Sequence, residues 1–235
     1  MTTPTFTAIA DHALLVEFAT EISDRASHSV VALDRALEDQ PPAGLLEVVP
    51  AFVNLLIDFD PLATDHDALT HAVLALLANE DAHTTEPTVH RVPICYDPSL
   101  ALDLSTVAAA TGRSTEAVIE AHLAGEYRVA MYGFAPGYAY MAGVPEPIQV
   151  PRKQAAVRGI AAGSVIIAGP QCLITTLDMP TGWSVIGRSP TRVLRPDHAD
   201  PFLFAPGDRV VFERVDLASY NRLEAAAIGT ASHTS

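Results

Sequence analysis

Lysine is almost missing from this chain: Lys153 is the only one among 235 residues. That excludes a P-loop, because Gly-x-x-x-x-Gly-Lys-Ser/Thr needs a lysine after glycine and Lys153 follows Arg152. Cysteine is nearly as scarce. Cys95 and Cys172 lie far apart with no Cys-x-x-Cys, which excludes a zinc ribbon or a thioredoxin-like centre, and both read as buried free thiols. Positive charge is short as well. With 14 basic against 28 acidic residues the formal charge is -14, which repels phosphate backbones and anionic headgroups and argues against nucleic acid as a partner. No apolar run reaches the ~18 to 20 residues of a membrane span. Met1 to Thr5 lack the basic start and apolar core of a signal peptide, so cytoplasmic residence is the expectation. Ser164 lacks a Gly-x-Ser-x-Gly elbow. His66 and His71, five apart on an expected helix, do not share a face as paired ligands would, so no metal site is expected.

What is present is ample core: 49% hydrophobic against 18% charged residues. Phe6–Ala10 and Ala13–Phe18 read as strands about an Asp11-His12 turn, followed by a helix capped by Ser23 and running to Glu38. Strands Leu45–Val49 and Phe52–Phe59 and a helix from Thr64 or Asp65 complete a small α+β layer of the ferredoxin-like kind over residues 1–86. Asn79–Pro87 reads as a connector. Val89–Cys95 opens a second domain, 87–217, with short helices at Leu104–Ala110 and Thr115–Ala124 and then strands alternating with Gly and Pro turns, the pattern of an all-β barrel or sandwich. Leu217–Ala227 reads as a terminal helix that leads out of the second domain, and residues 218–235 make up the rest of that helix and a tail that frays from Gly229.

The stretch from Tyr127 to Arg188 is the most distinctive. Strand Tyr127–Tyr132 leads into Gly133-Phe134-Ala135-Pro136-Gly137-Tyr138, where two glycines permit unusual φ and a proline fixes it amid clustered aromatic rings. Ala162–Gly169 and Gly182–Arg188 each read as a buried strand entered or left through glycine, the second around the only tryptophan, Trp183. Three such strands point to a closed β structure with a shaped mouth.

These motifs, with Pro151-Arg152, Gly163–Gln171, Ile186-Gly187-Arg188-Ser189-Pro190 and Pro206-Gly207-Asp208-Arg209-Val210, occur in an order and spacing that resembles the family of the B-type subunit of 5-oxoprolinase, also called KipI or allophanate hydrolase subunit 1. The resemblance extends upstream to Pro93-Ile94-Cys95-Tyr96. It implies a cyclophilin-like β-barrel for the second domain and a subunit inactive alone. With A-type and C-type subunits such a chain would couple ATP hydrolysis to opening the 5-oxoproline lactam, giving glutamate. As alternatives behind that reading it keeps open a carboxyltransferase half-site of a urea-carboxylase-like biotin enzyme, or a KipI-like inhibitor of a histidine kinase. ATP would act in the assembled complex, and this chain, lacking Met-Lys-Met, would not carry biotin. The chain departs from the family pattern at Val157-Arg158, Ile160-Ala161, Cys172–Thr176 and Pro180–Trp183.

Candidate site residues divide by chemistry. Arg152 and Arg188, with Arg158 and Arg192 behind them, offer planar guanidinium forks for a carboxylate or phosphate, the alternative being pairing with local acids such as Asp178 or Glu146. Arg152 leads because it sits in the family motif. Tyr138 and Tyr140 are expected to present hydroxyls outward, and Phe134 and Trp183 to fill barrel core. Gln171 and Ser164 are neutral hydrogen-bonding candidates for a lactam, urea or amide, unless Ser164 bonds a turn backbone. Asp178 is a weak catalytic candidate, Asp208 a turn former, and His122 a cation at a helix C-terminus.

Overall fold

A computed structural model describes residues 4–78, 87–195 and 199–231 and divides the chain into two units, Met1–Pro87 and Thr88–Ser235. Residues 79–86 of the expected connector and 232–235 of the expected fraying tail lie outside the described residues.

In the first unit, strands β1 (Thr5–Ile9), β2 (Ala13–Glu17), β3 (Leu45–Pro50) and β4 (Asn54–Phe59) form an antiparallel sheet in the order β1-β2-β4-β3. Alternate residues Leu14 and Val16 on β2, and Leu55, Ile57 and Phe59 on β4, are buried in one core, as the period of two requires. Helices α1 (Asp24–Asp39) and α2 (His66–Leu77) contribute Val30, Leu33 and Leu37, and Leu69 and Val73, at helical spacing. Ser23 caps α1 by accepting from Ala26 N–H at 3.3 Å, and Asp65 caps α2 through Ala68 N–H at 2.8 Å. The element order is ββαββα. A ferredoxin-like layer runs βαββαβ, so the observed order differs by one strand, which stands at the N-terminal end instead of after the second helix.

The second unit is built on a closed barrel of seven strands: β5 (Val89–Cys95), β6 (Tyr127–Tyr132), β7 (Ala139–Ala142), β9 (Ser164–Ala168), β10 (Gln171–Ile174), β12 (Ser184–Arg188) and β13 (Arg209–Val215). Its order is β10-β7-β6-β13-β5-β12-β9, with β5 and β13 parallel along their whole lengths. All five residues of β9 are buried, which explains its unbroken apolar run: Val165 and Ile167 face the barrel core, while Ile166 and Ala168 belong to a second core outside. The cover of that outer core is a two-stranded ribbon of β8 (Val157–Ile160) and β11 (Met179–Thr181). Helices α3 (Leu104–Ala110) and α4 (Thr115–Leu123) pack Val107, Val118 and Ile119 against the barrel core, and α5 (Leu217–Ala231) continues past the expected end at Ala227. Among the described residues no helix is long and apolar enough to cross a membrane.

His122 corrects an expectation. It is fully buried, not a solvated cation at the end of α4, and its ring lies among those of Tyr96, Tyr127 and Phe212. The Tyr96 hydroxyl is 2.7 Å from Nδ1, and Nε2 faces Cys172 Sγ at 3.9 Å. Burial pushes the imidazole pKa down to about 3 and the Cys172 thiol well up, so both groups stay neutral.

A depressed histidine pKa makes the fold sensitive to acid. Between about pH 6.5 and 3 the unfolded chain takes up a proton at this histidine that the folded chain refuses, so its contribution is complete above that window and lost as pH falls through it. His122→Gln keeps a hydrogen-bonding side chain and removes the titration. Denaturation from pH 7.5 to 4 is expected to show the wild type losing stability relative to His122→Gln, by up to about 1.4 kcal/mol per pH unit. Parallel pH curves would mean that the folded chain accepts the proton.

Candidate functional site

The segment carrying Arg152 is pinned from both sides. Lys153 N–H donates to Gly182 O at 2.7 Å, and its ammonium donates to Asp103 Oδ2 at 2.6 Å. That same oxygen accepts from Val185 N–H at 2.7 Å, while Asp103 N–H donates to Val185 O at 2.8 Å. Asp103 thus gives up capping α3 and ties the Arg152 segment to barrel strand β12.

So anchored, the exposed Arg152 guanidinium lies 5.3 Å from the centroid of the buried Trp183 ring, a cation–π arrangement. Among the described residues it has no carboxylate within ion-pair distance. The half-buried Tyr140 meets Trp183 edge-on, with centroids 5.7 Å apart. Tyr138 is buried in the same outer core, and its hydroxyl has no hydrogen-bond partner among the described residues. Burial, then the neighbouring Tyr140, pushes the Tyr138 pKa up to about 12; burial raises that of Tyr140 also, against the opposing pull of Arg152. Both hydroxyls therefore remain protonated donors at neutral pH.

Two expectations change here. Tyr138 does not reach solvent: it shares a face with Tyr140 while Ala139 and Met141 face the barrel core, but that outer face lies under the β8–β11 cover and the Tyr138 ring is buried there. Phe134 is not core. It is 75% exposed at φ 68°, a left-handed conformation uncommon for a bulky residue.

The remaining candidates stand elsewhere. Arg188 lines a cleft of about 400 Å³ with Ala162, Gly163, Thr175, Thr191 and Arg192. Asp178 Oδ1 accepts from Ala162 N–H at 2.7 Å, bracing the turn that floors this cleft, and the Ser164 hydroxyl donates to Ala161 O at 2.7 Å in the same turn. Gln171 pairs with Ala168 at the opposite end of β9 from Ser164, the partner of Arg188. The structure therefore gathers Tyr138, Tyr140 and Arg152 on one wall, gathers Ser164, Asp178 and Arg188 around one turn, and leaves Gln171 apart from that turn. Arg158 is exposed on the β8 ribbon, and Asp208 accepts from His90 and Ala205 N–H, each at 2.8 Å. Sequence reasoning missed Asp103 and the anchoring role of Lys153. Its available signal was a single lysine beside the favoured arginine in an acidic chain.

The family model described as carboxyltransferase domain, subdomain C and D, matches residues 4–204. The B-type subunit of 5-oxoprolinase from Bacillus subtilis (strain 168) is 33% identical over 225 residues, covering 91% of this chain and 93% of that protein. The crystal structure of TTHA0988 superposes with a TM-score of 0.77 at 34% identity over 87% of this chain, which spans only 40% of that longer chain. Kluyveromyces lactis urea carboxylase gives a TM-score of 0.68 at 19% identity over 93% of this chain and 22% of its own, a likeness of fold alone.

The anchor is testable. Lys153→Met keeps the apolar stem but leaves the largely buried Asp103 carboxylate without its cation. A loss of about 1 to 3 kcal/mol in unfolding free energy is expected, together with a changed emission from the single tryptophan as Arg152 loses its place over the ring. Unchanged stability and emission would show that Val185 N–H alone satisfies Asp103.

Proposed function

This chain belongs to the family of the carboxyltransferase domain, subdomain C and D, and from that premise we propose that it is the B-type subunit of a 5-oxoprolinase-like complex. In this reading it acts in the cytoplasm with A-type and C-type subunits, which together use ATP to open the 5-oxoproline lactam to glutamate. The extent of the likeness to the Bacillus subtilis B-type subunit, nearly end to end in both chains, supports the assignment.

The observation that carries the reading is the wall itself: an anchored guanidinium with no carboxylate partner among the described residues, beside protonated tyrosine hydroxyls. A small lactam acid complements it. Its carboxylate meets the Arg152 fork, and its carbonyl oxygen accepts from a tyrosine O–H. An unactivated lactam is a poor electrophile; phosphorylation of its carbonyl oxygen by ATP gives a carbon that water attacks. The tetrahedral intermediate expels the ring nitrogen, which takes up a proton, and a second water hydrolyses the resulting acyl phosphate to glutamate and phosphate. The wall offers recognition and no nucleophile, so activation belongs to the assembled complex, in which ATP is held otherwise than by a P-loop of this chain.

We take the exposed Phe134 as the anchor of the C-type subunit. An aromatic ring held in the open at a strained φ fits a hot spot that becomes buried on assembly. Phe134→Gly separates the two effects. Relief of left-handed strain, about 1 to 2 kcal/mol, offsets the extra backbone entropy of glycine, about 0.5 to 1 kcal/mol, so the isolated chain should melt no lower. Co-elution with the C-type subunit on a sizing column should weaken. Undiminished assembly would remove Phe134 from the interface.

The central test uses the purified chain and the reconstituted complex. The lone chain is expected to show no 5-oxoproline-dependent ATPase, and the complex to show it. Within the complex Arg152→Ala should lower kcat/KM by about 1.5 to 3 kcal/mol, and Arg152→Lys by less, with folding intact. Robust activity of the chain alone would overturn the subunit reading, and an unchanged rate per Arg152→Ala complex would overturn the recognition role.

A further inference from the structure

The second group of candidates stands far from the Arg152 wall. Trp183 precedes β12 and Arg188 ends it, so this five-residue strand, at about 3.3 Å per residue, separates the two arginine environments by ~15 Å. The cleft at the far end has its own construction. Gly163, at φ 81°, forms part of its floor, and a Cβ there would stand 2.5 Å from Ser189 O, so the floor stays at backbone level. Asp178, Ser164 and Thr175 hold that turn through bonds to Ala162 N–H and Ala161 O.

Arg188 is aimed but unsatisfied. Its Nε donates to Ala162 O at 3.0 Å, which fixes the plane of the guanidinium. Its Nη2 is 3.8 Å from Glu224 Oε1, beyond hydrogen-bonding distance. Glu224 is held instead by the Tyr220 hydroxyl, which donates to the same Oε1. Arg192, exposed on the same cleft, has no carboxylate within ion-pair distance among the described residues. Two guanidinium groups thus share a cleft of about 400 Å³, a volume within the ordinary range for small-molecule sites, with one loosely engaged acid between α5 and the barrel.

We propose that this cleft is a second ligand site, for a small oxyanion bound by Arg188 and Arg192, and that Glu224 is its built-in competitor. An incoming carboxylate or phosphate takes the Nη groups of Arg188 as a fork and draws in Arg192, displacing the weaker electrostatic hold of Glu224. Release of that hold loosens α5 at Glu224, so occupancy of the cleft is reported at the terminal helix.

The experiment follows backbone amides of the free, labelled chain by NMR during titration with inorganic phosphate and, separately, with glutarate. The two arms distinguish phosphoryl from carboxylate preference. Saturable shifts are expected at Ala162, Gly163 and Thr191 and along α5. Arg192→Ala should weaken binding about tenfold, the loss of one charge-assisted contact, and Glu224→Gln should tighten it by a few fold. Arg152→Ala should change nothing, which separates this site from the lactam wall. Arg192 is exposed, so its replacement leaves the fold intact even where Arg188→Lys disturbs the Ala162 contact. Non-saturable shifts with both probes, or an affinity unaltered by Arg192→Ala, would overturn the site; an affinity unaltered by Glu224→Gln would overturn the competitor.

Discussion

Everything in the second unit depends on closure of the barrel by the parallel pairing of β5 with β13. Val89 to Cys95 stand in register with Arg209 to Val215, so residues far apart in sequence meet along seven consecutive pairs. A closed sheet has no edge to leave unpaired. It also assigns each strand one inner and one outer face, and the consequence differs around the circumference. On β9, β10 and β12 the outer residues Ile166, Leu173 and Val185 are as apolar as the inner ones, so a second cover is compulsory. The ribbon of β8 and β11 supplies it, and the aromatic wall forms where that cover meets the β6–β7 connection.

Asp103 converts this architecture into a candidate site. One carboxylate oxygen serves both the only lysine and a main-chain N–H of the barrel, and the helix it precedes goes without a side-chain cap. A cap is ordinarily worth about 1 kcal/mol. Its diversion here holds an adjacent arginine over an aromatic face, where a loose side chain would lose far more rotamer freedom on meeting an anion. Local stability is exchanged for preorganisation.

Much of this was legible in the sequence where a local rule decides the outcome. Ser23 and Asp65 cap their helices because the cap depends on residues three positions away. The apolar run Val165–Ala168 of β9 announced burial on both faces. The errors came where long-range packing decides. His122 sits near Glu120 in sequence, yet the end of α4 enters the barrel core and buries the ring beside Cys172, fifty residues on. Tyr138 keeps the strand parity it shares with Tyr140, but the face they occupy is covered by the β8–β11 ribbon, so its hydroxyl is buried. The N-terminal layer was read correctly element by element. Its place in the ββαββα order was written in the sequence as well, and the fold name applied to it was the looser step.

The same geometry locates the chain's departures from the family pattern. Ile160 and Leu173, in two of the altered stretches, are buried in the core behind the wall with Tyr138 and Trp183, while Cys172 and Ile174 face the barrel interior. Pro180 and Thr181 lie in the covering ribbon. None of these positions carries a charged side chain, and the Pro180–Trp183 stretch still supplies Gly182 O as the acceptor for Lys153 N–H. A change of volume behind an aromatic ring moves that ring by fractions of an ångström, because protein cores are close-packed and pass displacement onward. The departures therefore bear on the shape of the surface beside Arg152 and on the placement of the Tyr138 hydroxyl, while the anchored guanidinium is left in place. Under the proposed lactam-acid reading, divergence of this kind would alter which amide or lactam fits before it alters whether an acid binds.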